Sequence, residues 1–180
     1  MSELVEQFCE PASALEARAP ETRALEARAL EARAPESLAD VLSRVPAEVL
    51  ETMFFAEAVA AGCSHAWLSS ALGVRIRFEG SHLGEMRLSV SRDAADSIAC
   101  AFLGLGPLEL TEPLRAQVIL ELANILCGAI LSHLWPESKL ALGAPEISTE
   151  APPFDDALHC CFEMPEGKLA VWIHWSEAPA

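Results

Sequence analysis

The sequence predicts an α+β fold, in which a largely antiparallel sheet carries two long helices and a shorter one. Hydrophobic residues form 52% of the 180-residue chain, which is enough to build the core of one domain. Helix-like and strand-like periodicities fall in separate blocks, in the order helix, strand pair, two helices, three strands. Short turns join strands within these blocks, which favours antiparallel pairing.

The N-terminal part of the chain differs in composition from the rest. We assign residues 1–39 to a low-complexity tail and residues 40–178 to the folded domain. Pro20 and Pro35 interrupt the helical tendency of the tail, and it has few apolar residues to bury. We therefore predict a linker that is partly helical or disordered, and a short coiled coil is the less favoured alternative. The tail contains an imperfect tandem repeat, ALEARAP at 14–20, ALEARAL at 24–30 and EARAP at 31–35.

The folded part is predicted to open with a helix and a β-hairpin. Pro46 suits the first turn of a helix, which we expect to cover residues 47–61 and to end at Gly62. Apolar and polar residues then alternate strictly in the segment Val74-Arg75-Ile76-Arg77-Phe78, as in a half-buried strand. The predicted hairpin consists of a strand within 66–78, a turn at 79–84 and a second strand at 85–90.

Two more helices and three more strands complete the predicted fold. Ser91 or Asp93 can cap the first of these helices, and Gly104 closes it. Thr111 and Pro113 open the longest helix of the chain. The predicted ranges are 94–103 and 114–134 for the helices, and 138–149, 157–164 and 168–175 for the strands.

Charge and hydropathy exclude several classes of function. The formal net charge is −15, from 12 basic and 27 acidic side chains, and such a balance disfavours binding to nucleic acid. No stretch reaches the roughly 18 uninterrupted apolar residues that a membrane span requires. The first residues, MSELVEQFCE, lack the basic start and apolar run of a signal peptide. We therefore expect a cytoplasmic protein with no membrane span.

The six cysteines form no CxxC pair, and we expect them to be reduced in the cytoplasm. The segment His159-Cys160-Cys161 is the one candidate for metal ligation. Adjacent residues of a strand point to opposite faces of a sheet, so these side chains would converge poorly on one ion. We predict no metal site and no cofactor bound by this chain.

The main functional signal is a polar stripe on the longest helix. Val118, Leu122 and most other residues of this helix are apolar, so its polar residues mark the one face that is not buried. The spacings of four, three, four and four residues place all the polar positions on one helical face. An ordinary solvated face is the alternative, although such faces tend to carry several charges and this one carries a single charge. The polar stripe consists of Gln117, Glu121, Asn124, Gly128 and Ser132.

The segment ELANILCG at 121–128 resembles the ExxNxxxG motif of the CheC/CheX/FliY phosphatases, and its surroundings resemble the CheX-like branch of that family. The resemblance covers residues 40–175 and leaves the tail outside. It implies a CheX/CheC-like fold and the removal of phosphate from the aspartyl phosphate of a CheY-like receiver domain. Three further segments carry the resemblance, VLETMFFAEA at 49–58, GEMRLSVSRDAADSIACAFLG at 84–104 and LALGAPEIS at 140–148.

The resemblance implies a role for each residue of the polar stripe. Asn124 would orient the attacking water, and Glu121 would pair with the active-site lysine of the receiver. Mg²⁺ is expected on the partner receiver. The partner would dock on the other small and polar residues of the same face, which are Gln117, Gly128 and Ser132. Many relatives have Asp or Ser at the position of Gln117, so this chain departs from the family there.

The resemblance also implies one site in each chain. Some relatives carry a second motif on the first helix, but the alignment places Glu51 and Phe54 opposite Glu121 and Asn124, and a phenyl ring cannot orient water. We expect a homodimer that pairs through a sheet edge offered by the C-terminal strands. A non-catalytic module that binds or scaffolds a receiver remains the alternative function.

Overall fold

A computed structural model describes residues 37–62, 65–150 and 157–177. Residues 1–36, which hold nearly all of the predicted tail, lie outside the described residues. Among the described residues the fold contains three α-helices and a seven-stranded sheet in which every pairing is antiparallel. The predicted fold class is confirmed.

The three helices are α1 (Leu38–Phe54), α2 (Arg92–Leu103) and α3 (Glu112–Leu134). The prediction that the first helix covers residues 47–61 was wrong. Ser37 and Asp40 form a capping box that starts α1 earlier, so that Pro46 lies inside the helix. The helix ends at Phe54 because Phe55 adopts a left-handed backbone conformation with φ of 54°.

The strands are β1 (Val59–Ala61), β2 (Leu72–Gly80), β3 (His82–Val90), β4 (Leu140–Leu142), β5 (Glu146–Ile147), β6 (Leu158–Met164) and β7 (Gly167–Glu177). They follow one another across the sheet in the order β1-β6-β7-β3-β2-β4, and β5 pairs with another part of β2. The predicted hairpin is confirmed, because β2 and β3 pair antiparallel from Leu72 opposite Val90 to Phe78 opposite Gly84. The strand predicted within 66–78 begins only at Leu72, because His65–Ser70 forms a short 3₁₀ helix.

The C-terminal strands form only part of the sheet edge that the sequence led us to expect. Strand β7 lies between β6 and β3, so it is internal. The outer side of β6 is paired with β1 only at Cys161, Phe162 and Glu163, and the other edge of the sheet is formed by β4 with β5. The pairing of two copies through the C-terminal strands stays a prediction.

The helices cover one face of the sheet and form the main core with it. Side chains alternate along β7, so Leu169, Val171 and Ile173 join the helices while Ala170 and Trp172 face the other side. That other side holds a smaller cluster of Cys161, Ala170 and Trp172, on which Trp67 and Leu68 of the 3₁₀ helix pack. The placement of α3 against β2 and β3 fixes which of its faces is exposed.

The state of Cys161 differs from the sequence prediction. Cys161 is disulfide-bonded, so the expectation of six reduced cysteines was wrong for this residue. Cys160, the next residue, is a free thiol that packs against the main core, whereas Cys161 belongs to the smaller cluster on the other face. The two neighbouring sulfur atoms therefore point to opposite sides of the sheet, as strand geometry requires.

Candidate functional site

Helix α3 carries the polar stripe and is held at its N-terminal end by an ion pair. Arg115 is buried and donates a hydrogen bond to Asp96 of α2, and it also contacts Glu112 at 3.2 Å. The hydrogen bond to Asp96 raises the pKa of the Arg115 guanidinium above its ordinary value. This pair fixes α3 against α2, one and a half turns before Glu121.

The apolar circumference of α3 faces the core. Among the described residues, α3 is the one helix whose length and composition would allow it to cross a membrane, but half of that stretch is buried inside the protein. A central helix of a folded core has the same properties. The buried apolar side chains of α3 are those of Val118, Ile119, Leu122, Ala123, Leu126, Cys127, Ile130 and Leu131.

The polar stripe lies on the remaining face of α3. Gln117, Glu121 and Ser132 are exposed, whereas Asn124 and Gly128 are half-buried. Glu121 and Asn124 stand about 4.5 Å apart along the helix axis, because each residue rises about 1.5 Å. Within the described parts of the chain, neither of these two side chains makes a hydrogen bond or an ion pair. The carboxylate and the carboxamide are therefore available to groups outside the chain.

The chemistry of the two side chains is that of positioning. A carboxamide offers both donors and acceptors, so it can hold a water molecule in one orientation. A carboxylate accepts charge-assisted hydrogen bonds from a cationic group such as a lysine. In residues 37–62, 65–150 and 157–177 there is no group of three or more His, Cys, Asp or Glu residues placed to hold a metal ion.

The C-terminal part of the stripe borders a small pocket. Ser132 Oγ donates a hydrogen bond of 2.8 Å to the carbonyl oxygen of Gly128, so its hydroxyl hydrogen is used within the helix. Next to these two residues a pocket of about 170 Å³ opens between the end of α3 and strand β4. Its walls include Trp135, Leu140 and Leu142. No local sequence pattern indicates this pocket, because the approach of β4 to α3 is set by the pairing of β4 with β2.

Helix α1 does not repeat the arrangement. Glu51 is exposed, but Phe54 is fully buried and its ring stacks on Phe102 of α2, with ring centroids 4.9 Å apart. Cys127 of α3 is not a reactive nucleophile, because burial raises the pKa of its thiol to about 12 and keeps it protonated at neutral pH. Among the described residues, the acid and the amide predicted from the sequence lie together on α3, where Glu121 is exposed and Asn124 is half-buried.

The architecture defines a class of fold, that of the CheX, CheC and FliY structures. CheX from Vibrio vulnificus is 17% identical and superposes with a TM-score of 0.66 over 80% of this chain and 99% of that chain. The CheX of the CheX–CheY–BeF3–Mg²⁺ complex from Borrelia burgdorferi is 19% identical, with a TM-score of 0.61 over 78% of this chain and 99% of that chain.

A third solved structure with a similar fold is not a CheX. FliY from Thermotoga maritima is 14% identical and has a TM-score of 0.52, over 75% of this chain and 85% of that chain. No family model matches the sequence, and no curated protein matches it. The comparisons thus confirm the predicted resemblance at the level of the fold.

Proposed function

We propose that this protein hydrolyses the aspartyl phosphate of a CheY-like receiver domain. The observation that carries the proposal is the pair Glu121 and Asn124, which stands on the face of α3 that the core leaves open and has no hydrogen-bonding partner among the described residues. The fold supports it, because a CheX of the same fold forms a complex with CheY, BeF3 and Mg²⁺.

The geometry fits a mechanism of positioning. Transfer of a phosphoryl group to water needs an in-line nucleophile and stabilisation of charge, and it does not need a covalent step by the catalyst. Asn124 would insert beside the acyl phosphate and hold the attacking water with its amide. Glu121 would pair with the receiver's lysine and fix the helix in register. The receiver would bring its own Mg²⁺, since this chain is proposed to bind no cofactor.

The remaining stripe residues would form the rest of the contact. Gln117 lies one turn before Glu121, and Gly128 and Ser132 lie one and two turns beyond Asn124. Gly128 has no side chain and Ser132 bonds its own helix, so a partner can approach the backbone closely here. The net charge of this chain is −15, so long-range electrostatics would not attract an acidic partner. Binding would then depend on complementary shape and local contacts.

The proposal is tested by following phosphorylated receivers of the protein's own organism. Each receiver is phosphorylated and its loss of phosphate is timed with and without this protein. A faster loss for at least one receiver supports a phosphatase. Binding without faster loss would instead support the alternative, a receiver-binding module of the same fold, and no effect on any receiver would overturn both.

We also propose a cytoplasmic homodimer, although β7 lies inside the sheet and β6 is partly covered by β1. The exposed sheet edges are β1, where Val59 is 71% exposed, and the β4–β5 side, where Ile147 is 47% exposed. Either edge has unpaired backbone groups that a second copy could bind. Light scattering after size exclusion should give twice the chain mass, and a single chain mass would refute the dimer.

A further inference from the structure

The pocket beside Gly128 shares a surface with the proposed reaction centre. It has a volume of about 170 Å³ and opens between the C-terminal part of α3, the turn that follows it and strand β4. Gly128 lies one helical turn beyond Asn124, so the pocket begins about 6 Å along the axis from the amide. The lining residues that matter here are Gly128, Leu131, Ser132, Trp135, Leu140 and Leu142.

The walls of the pocket combine apolar side chains with the two serines Ser132 and Ser138, and none of its lining residues carries a charge. Leu131 is nearly fully buried, and Leu140 packs against the core, so these walls are held in place. Trp135 is fixed by its neighbours, since its ring stacks on His82 at 4.1 Å and meets Trp175 edge-on at 5.3 Å. Burial of an apolar group against the leucine and tryptophan walls of the pocket, out of contact with water, is favourable.

The size of the pocket selects the kind of occupant. Sites for small molecules and cofactors usually measure about 300–1,000 Å³. A pocket of about 170 Å³ is below that range and suits one amino-acid side chain. The floor stays open because residue 128 is glycine. A Cβ atom there would meet Leu142 Cδ1 at 3.8 Å, so a longer side chain would enter the pocket.

We propose that this pocket receives one apolar side chain of the receiver domain whose phosphoaspartate is held at Asn124. This inference rests on the proposed function. It follows from the continuity of the surface, because a partner that covers Asn124 also covers the mouth of the pocket one turn away. The anchor would supply affinity and register, whereas Asn124 would act on the reacting atoms. An aromatic or aliphatic side chain buried at the centre of an interface commonly has this role.

The test separates affinity from turnover. With the receiver that the wild-type protein dephosphorylates, Leu142→Ala removes one wall of the pocket and Gly128→Leu fills it. Both variants should raise KM about tenfold, the usual effect of losing one anchoring contact. The kcat should stay within about twofold of wild type, since Asn124 is unchanged.

A matched control keeps the test specific. Leu83 is 41% exposed, close to the 38% of Leu142, but it lies on the opposite face of the sheet, so Leu83→Ala should leave KM unchanged. Circular dichroism verifies that each variant is folded.

The failures are distinguishable. Wild-type KM in both Leu142→Ala and Gly128→Leu would overturn the anchoring pocket and leave the phosphatase intact. If the wild-type protein accelerates no receiver and binds none, the proposed function fails and the pocket proposal fails with it.

Discussion

The ring of Phe54 at the end of α1 stacks on Phe102 of α2, with centroids 4.9 Å apart and planes inclined by 23°. Phe54 occupies the position in α1 that Asn124 occupies in α3 when the two segments are aligned. The position at which a second site would need an amide is thus filled by a side chain of the core. Helix α1 thus has an exposed acid, Glu51, but no amide at the aligned position.

Phe54→Asn should not create a second site. The buried phenyl ring would be replaced by an amide without partners in an apolar surrounding, so we expect a loss of about 3–5 kcal/mol in the free energy of unfolding. Urea unfolding measures the loss. An unchanged stability together with a doubled phosphatase rate would show that Phe54 replaces a functional amide and does not support the core.

Glu121→Gln should weaken docking more than turnover. The neutral side chain keeps its shape but loses the charge-assisted contact with the receiver's lysine, so KM should rise about three- to tenfold. The difference from wild type should shrink when ionic strength rises from about 0.05 M to 0.5 M, since salt screens the ion pair. A difference that does not depend on salt would contradict the assigned role.

Arg115→Met should destabilise the fold without touching the stripe. The change leaves Asp96 of α2 without its partner, and Arg115 is 8% exposed, so the loss should be about 1–3 kcal/mol. The double variant Asp96→Asn, Arg115→Met should recover part of the loss, which a double-mutant cycle measures. Additive losses would mean that the two residues do not act as a pair.

Cys127 should make stability depend on alkaline pH. Burial raises the pKa of its thiol to about 12, while a thiol in the unfolded chain has a pKa of about 8.5. Above about pH 9 the unfolded state loses this proton and the folded state keeps it, so the free energy of unfolding falls by roughly 1.4 kcal/mol per pH unit until the folded thiol ionises. The contribution of this thiol is fully present below about pH 8.5.

The variant Cys127→Ala lacks this titration. The stability advantage of the wild-type protein over Cys127→Ala should therefore shrink between about pH 8 and pH 10.5 in urea titrations, by roughly 2 kcal/mol. An advantage that stays constant over this range would contradict the burial of the thiol.

Periodicity and capping residues in the sequence correctly predicted several helices and strands. The alternation of Val74, Ile76 and Phe78 indicated β2, and Thr111 with Pro113 marked the start of α3. The start of α1 was missed because Pro46 is usual in a first turn, whereas here the capping box at Ser37 starts the helix two turns earlier. The strand predicted within 66–78 begins only at Leu72, because the preceding segment His65–Ser70 forms a 3₁₀ helix although it too contains apolar residues, Trp67 and Leu68.

The candidate site could be predicted only in part. The spacing of Glu121 and Asn124 on an otherwise apolar helix predicted that both share one face, and the structure leaves Glu121 exposed and Asn124 half-buried. The pocket beside Gly128 could not be predicted from local patterns. Leu142 lies near Gly128 because β4 pairs with β2, and this pairing is a long-range contact. The disulfide of Cys161 was missed because cysteine spacing alone does not show which chain segments meet.

The most direct test of the account is the effect of Asn124→Ala on a phosphorylated receiver at saturating protein. We expect this variant to bind the receiver within about threefold of the wild-type affinity but to lose the acceleration by about 100-fold or more, because the water is no longer oriented. An Asn124→Ala protein that removes phosphate as fast as the wild-type protein would contradict the central claim.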